Sequence, residues 1–179
     1  MPACHPVPTL WLMTDERADG TLEQALARLP RGAGIVFRHH ATPPAGRKAR
    51  FAQVRRIAKA RGLIVILAGD PRDAIGWRAD GWHGRSARRV PLRFRTAPAH
   101  DLAELVAARR AGVDVAFLSP VFPTRSHPGS SALGPLRFGL IARGAGIRVA
   151  ALGGMTPRRY RRLAMLGASG WAAIDAWTS

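Results

Sequence analysis

Cysteine occurs once in the 179 residues, at Cys4, so no internal disulfide can form. Acidic residues are also scarce, 11 against 28 lysines and arginines, which gives a formal net charge of +17. Nearly all of that charge is arginine, because Lys48 and Lys59 are the only lysines. A polyanion partner would account for such an excess. The arginines, however, recur on several helical segments (Arg55, Arg56, Arg61; Arg109, Arg110; Arg158, Arg159, Arg161, Arg162) instead of forming one block. Aromatics that could stack on bases are nearly absent among them, apart from Tyr160. The pattern therefore favours a solvated basic surface over a nucleic-acid interface.

No apolar stretch is long enough to span a bilayer, and MPACHPVPTLWL lacks the charged n-region and cleavage site of a signal peptide. These absences predict a cytoplasmic protein with no membrane partner. There is no P-loop and no nucleophile elbow, which argues against NTPases and serine hydrolases. No HxxxH or His/Asp/Glu spacing suggests a metal triad.

What is present is an alternation of short apolar runs with segments of helical period, as in βα units around a parallel sheet. Strands are predicted at 9–14, 34–38, 63–68, 81–83, 91–94, 113–119, 147–152 and 170–175. Helices are predicted at 21–29, 48–61, 71–79, 99–111, 134–144 and 157–167. Gly62, Gly112, Gly146 and Gly167 stand as helix C′ residues. Eight strands suggest a (β/α)₈ TIM barrel, with a doubly wound sheet as the rival. The whole chain, 1–179, reads as one domain with a flexible tail over 1–8. The barrel is shortened after strand four, where only residues 84–90 separate two strands, and it lacks most of the last helix. That would leave Trp171 or Trp177 partly exposed and invite homodimerisation.

In such a barrel the chemistry sits at the C-terminal strand ends. Two stretches there stand out. In ALGGMTPRR a strand opens into Gly153 and Gly154, with Thr156 placed to cap a helix that begins at Pro157. Either a tight turn or a phosphate site fits that pattern, and its position on strand seven favours phosphate. In LSPVFPTRSHPG, three prolines stiffen a loop that carries Thr124, Ser126 and His127. The two hydroxyls fall on one side of an extended backbone and could bind oxyanions, although a purely structural loop is equally compatible with the spacing. His39 and His40 are adjacent at a strand end, so at most one can face the mouth.

Taken in order, LWLMTDE, ADGWH, AGVDVAFLSPVFPTRSHPG, VAALGGMTP and GASGWAAIDA resemble the thiamine phosphate synthase/TenI family over residues 9–177. The resemblance implies a (β/α)₈ barrel that joins hydroxymethylpyrimidine pyrophosphate to thiazole phosphate with Mg²⁺, releasing pyrophosphate. It also admits a TenI-like thiazole tautomerase, or a regulatory phosphate-binding barrel without catalysis. By resemblance, Thr124, Ser126 and His127 would hold pyrophosphate, with His127 in place of a lysine. Arg38 matches the arginine of a Q-L-R-x-K pattern that grips the pyrimidine substrate. Gly153 and Gly154 would hold the thiazole phosphate, and Asp70 would be one metal ligand. His100 approximately matches a proton-transferring histidine, and His127 joins it as a catalytic candidate. The loop after strand four carries no acid, which weakens the Mg²⁺ site. Asp175 replaces a phosphate-binding serine, and its charge would repel that phosphate.

Overall fold

The computed structural model describes residues 6–86, 90–92, 94–124 and 131–174. Its eight strands are β1 (Leu10–Met13), β2 (Gly34–Phe37), β3 (Ile64–Ala68), β4 (Gly81–His83), β5 (Phe94–Ala99), β6 (Val115–Leu118), β7 (Arg148–Leu152) and β8 (Gly170–Ala173). All are parallel to their neighbours, and β8 pairs with β1 to close the barrel. The helices are α1 (Leu22–Arg28), α2 (Pro44–Arg61), α3 (Pro71–Gly76), α4 (Leu102–Arg110), α5 (Gly134–Gly144) and α6 (Pro157–Ala164). A 3₁₀ turn at Glu16–Thr21, unforeseen in the sequence, precedes α1.

Strands buried on both faces need apolar side chains in both directions, which is why these runs show little alternation. One set, including Trp11, Met13, Val36, Ile66 and Phe117, fills the barrel interior. The other set faces the helices: Leu12, Ile35, Phe37 and Val65 meet α1 and α2, and Ala116, Leu118, Val149 and Ala151 meet the helices of the second half. Trp11 stacks edge-on against Phe117 at 5.4 Å between ring centres. Its indole also lies over Gly34, where an added Cβ would sit 2.1 Å from a ring carbon.

Three expectations need correction. Strand five runs over 94–99 rather than 91–94, because Pro98 can lie in it without breaking a ladder bond. The Thr96 carbonyl accepts from Gly84 N on the β4 side, while the Ala99 carbonyl accepts from Ser119 N on the β6 side. By that alternation Pro98 faces β4 beyond that strand's end, where no donor is required. The expected tail is also too long, since Pro8 is buried, Val7 packs on the interior cluster and Trp11 Nε1 donates to the Pro8 carbonyl at 2.9 Å. Finally, Trp171 is buried and stacked beside Tyr160, so it offers no apolar patch. Trp177 lies outside the described residues.

The shortening after β4 is present, and no helix separates β4 from β5 among the described residues. Arg95 covers part of that space. Its guanidinium lies 5.2 Å from the Trp82 ring and donates to the carbonyls of Ala111 and Ser86.

Because the barrel interior has no slack around Trp11, Gly34→Ala is expected to cost about 2–3 kcal/mol of stability in urea unfolding. Adding Trp11→Phe should recover part of that loss.

Candidate active site

The mouth is built row by row from the strand register. Ala68 pairs with His83, and His83 with Thr96, while Arg38 follows the last paired residue of β2. Arg38 donates through Nε to the Thr14 carbonyl at 2.8 Å and through Nη2 to Asp15 Oδ2 at 3.1 Å. Arg17 grips the same carboxylate with Nε and Nη2, at 2.9 and 2.7 Å. The Arg17 hydrogen bond, with Arg38 assisting and burial opposing, holds the Asp15 carboxyl down at about 2. Asp15 is therefore an anion that orients two arginines, and Arg38 stays half-buried at the mouth.

The adjacent histidines separate as expected. His39 is buried, with a φ of 37°, and its ring nitrogens bond Thr14 Oγ1 and Asp19 Oδ1, both at 2.9 Å. His40 is exposed, and burial of its ring edge together with Arg47 and Arg38 lowers its pKa. His83 contacts Thr96 Oγ1 at 2.8 Å, with its ring 5.6 Å from that of Phe117. Burial, then Arg38, His40 and Arg85, push its pKa from an ordinary 6.5 down to about 3. His83 is thus a neutral group on the floor of the mouth.

His100 lies directly after β5. Its Nδ1 is 2.8 Å from the Ser119 carbonyl, which can only accept, so Nδ1 carries the proton. In the neutral ring Nε2 is then a lone-pair base. Glu104 steadies this corner by accepting from His100 N at 2.8 Å and from Arg85 Nη2 at 3.2 and 3.3 Å.

The strand-six and strand-seven loops meet. Val121 N donates to Leu152 O at 2.9 Å and Phe122 N to Gly153 O at 3.1 Å. Gly153 and Gly154 take φ values of 97° and 60°. A Cβ at Gly153 would lie 2.9 Å from Pro120 Cα, and one at Gly154 2.6 Å from the Pro123 carbonyl. Both glycines are therefore required by the contact between the loops, in addition to any approach by a ligand. Arg159 locks the junction by donating to the Gly154 carbonyl while lying 4.4 Å over the Phe122 ring. Thr156 caps α6, accepting from Arg159 N at 3.2 Å. Thr124 extends from this junction, whereas Ser126, His127, Arg88, Arg89 and Asp175 lie outside the described residues.

Asp70 is at the end of β3, but it serves as the N-cap of α3, with Oδ1 accepting from Arg72 N at 2.7 Å. No group of three His, Cys, Asp or Glu residues suited to a metal ion occurs among the described residues. The neighbouring cation is Arg47, whose Nη1 would lie 3.6 Å from a Cβ at Gly69. Mg²⁺ is commonly held by one or two carboxylates together with substrate phosphate oxygens, and Asp70 would bring a single carboxylate already engaged in capping α3, next to a Gly69 that lies beside the Arg47 guanidinium, a poor fit for the ion.

Arg47 is the main residue that the sequence reading missed. It donates to the Arg38 carbonyl at 3.0 and 2.8 Å and to the Ala68 carbonyl, strapping the ends of β2 and β3. An available signal was its place in the first turn of α2, where a cation opposes the helix dipole and needs another purpose.

A family model described as thiamine monophosphate synthase matches residues 10–177. A thiamine-phosphate synthase of Geobacillus thermodenitrificans is 29% identical over 185 residues, covering 94% of this chain and 83% of that protein. The thiamine biosynthesis bifunctional protein ThiED of Geobacter sulfurreducens is 29% identical over 177 residues, which are 93% of this chain but only 36% of that protein. A solved structure of thiamine phosphate pyrophosphorylase from Pyrococcus furiosus superposes with a TM-score of 0.77 at 21% identity, covering 94% of this chain and 86% of its own. An N-acetylmannosamine-6-phosphate 2-epimerase from Clostridium perfringens shares the fold at a TM-score of 0.65 and 12% identity.

The neutral His83 makes native stability sensitive to acid. Unfolded histidine takes up a proton as pH falls below 6.5, whereas the folded ring resists until about 3, so stability is lost through that window. Between pH 7 and 5 the loss from this group approaches about 2 kcal/mol. Urea unfolding of His83→Gln should show a flatter pH dependence than the parent over the same interval.

Proposed function

The chain belongs to the thiamine monophosphate synthase family, and we propose that its barrel mouth binds a pyrimidine pyrophosphate and a thiazole phosphate and joins them. The observation that carries this reading is the junction of the strand-six and strand-seven loops, which packs Phe122 and Pro123, the residues just before Thr124, against Gly153 and Gly154. By family resemblance one loop receives the pyrophosphate and the other the thiazole phosphate. By the same resemblance Arg38, oriented by Asp15, corresponds to the family's substrate-gripping arginine. His40 ends the same VFRHH stretch at the family's lysine position.

The reaction forms a C–N bond from the thiazole nitrogen to the pyrimidine methylene carbon as the C–O bond to pyrophosphate breaks. Pyrophosphate leaves with the electron pair. The barrier therefore depends on stabilising negative charge on the departing oxygens, which suits preorganised guanidinium and hydroxyl donors. Arginine remains charged across the working range, and His40, with its lowered pKa, adds charge only on acidification.

A second reading is favoured by His100. Its Nδ1 is committed to the Ser119 carbonyl, leaving Nε2 to take and return a proton, as a TenI-like tautomerase of thiazole phosphate would require.

The two readings separate in one incubation with both phosphates. Formation of thiamine phosphate with release of equimolar pyrophosphate supports the synthase, and isomerisation of thiazole phosphate alone supports the tautomerase. Neither product, together with no binding of either phosphate by calorimetry, overturns both. Arg38→Ala is expected to weaken pyrimidine pyrophosphate binding about tenfold or more, and His100→Gln to abolish isomerisation with little effect on that binding.

A further inference from the structure

We infer that the mouth takes its pyrophosphate-bearing ligand as the free anion, with guanidinium groups supplying the counter-charge that a divalent cation would otherwise provide. The inference rests on the function proposed above and concerns how the same site handles charge.

It follows first from where the acids are. Of the 11 in the chain, all but Asp175 lie in the described residues, and most of those near the mouth are engaged, Asp73 facing the Arg47 guanidinium. Asp15 holds Arg17 and Arg38. Glu16 accepts from the amides of Ala41 and Thr42, and Asp19 holds His39 and Arg50. Asp70 and Asp101 cap helices, and Glu104 holds Arg85 and the His100 amide. Elsewhere, Asp80 and Asp114 accept from strand amides at Val65 and Arg95. Recruiting any of these to a metal would break a cap, an ion pair or a strand contact.

The cations at the mouth point the same way. The guanidinium of Arg47 sits beside Gly69, at the end of β3 where a metal carboxylate would be sought. A unit positive charge there repels a dication and attracts a phosphate oxygen. Two of its nitrogens serve the Arg38 and Ala68 carbonyls, which fixes the group while Nη1 stays clear of those bonds. Arg38 is likewise fixed through Nε and Nη2, so both present a preorganised planar donor rather than a mobile side chain.

Calorimetric titration of inorganic pyrophosphate into the full chain, in EDTA and again in Mg²⁺, tests this directly. Affinity in EDTA is expected to equal or exceed that in Mg²⁺. Asp70→Asn gives an opposed pair of outcomes, because asparagine caps a helix as well as aspartate and α3 is kept. Removing the carboxylate should tighten pyrophosphate binding, by about threefold, if no metal intervenes. Binding that appears only with Mg²⁺, or an Asp70→Asn protein that binds tenfold more weakly in Mg²⁺, overturns the inference while leaving the proposed function standing. No binding in either buffer overturns both.

Discussion

Closure of the barrel between β8 and β1 is the constraint from which the site follows. Trp171 N donates to Thr9 O at 2.8 Å, and Gly170 lies so close to that carbonyl that a Cβ would stand 2.6 Å from it. Once the ring is closed, residues as far apart in sequence as Arg38, His83, His100 and Gly153 are held at one end of it. The interior must then be filled without voids, and Trp11 over Gly34 and against Phe117 does much of that. Rigidity at this level lets a mouth built from short loops keep its donors oriented.

The electrostatics of the molecule follow from its shortage of acids. With so few carboxylates, several near the mouth perform structural work: Asp15 orients two arginines, Asp19 ties buried His39 to Arg50, and Glu104 steadies the His100 corner. The uncompensated charge left over is almost entirely arginine, a permanent cation that matches phosphate in a bidentate geometry. His83 is kept neutral within this positive field, so the floor of the mouth adds hydrogen-bonding capacity without further charge.

Much of the architecture was legible in the sequence because apolar runs, capping residues and C′ glycines are local signals. Gly62, Gly112, Gly146 and Gly167 all adopt positive φ, as their positions after helices implied. Strand five was misplaced because the Thr-Ala-Pro-Ala stretch has weak strand character, and only the end of β4 makes Pro98 tolerable there. In the site, Gly153 and Gly154 were visible from their spacing, but their second purpose, admitting the strand-six loop, depends on a contact no local pattern encodes. Arg47 and the Nδ1 bond that sets the His100 tautomer are likewise long-range facts. The metal expected at Asp70 rested on family resemblance, while the capping bond and the guanidinium beside Gly69 became apparent only in three dimensions.

The central claim is that a phosphate-binding mouth of this family is held here by arginines and the joined strand-six and strand-seven loops. A crystal structure grown with pyrophosphate in EDTA tests it most directly. The account predicts pyrophosphate density within hydrogen-bonding distance of the Arg38 guanidinium and of the loop carrying Thr124, with no metal beside Asp70. An empty mouth at saturating pyrophosphate, or the anion bound elsewhere on the basic surface, would contradict it.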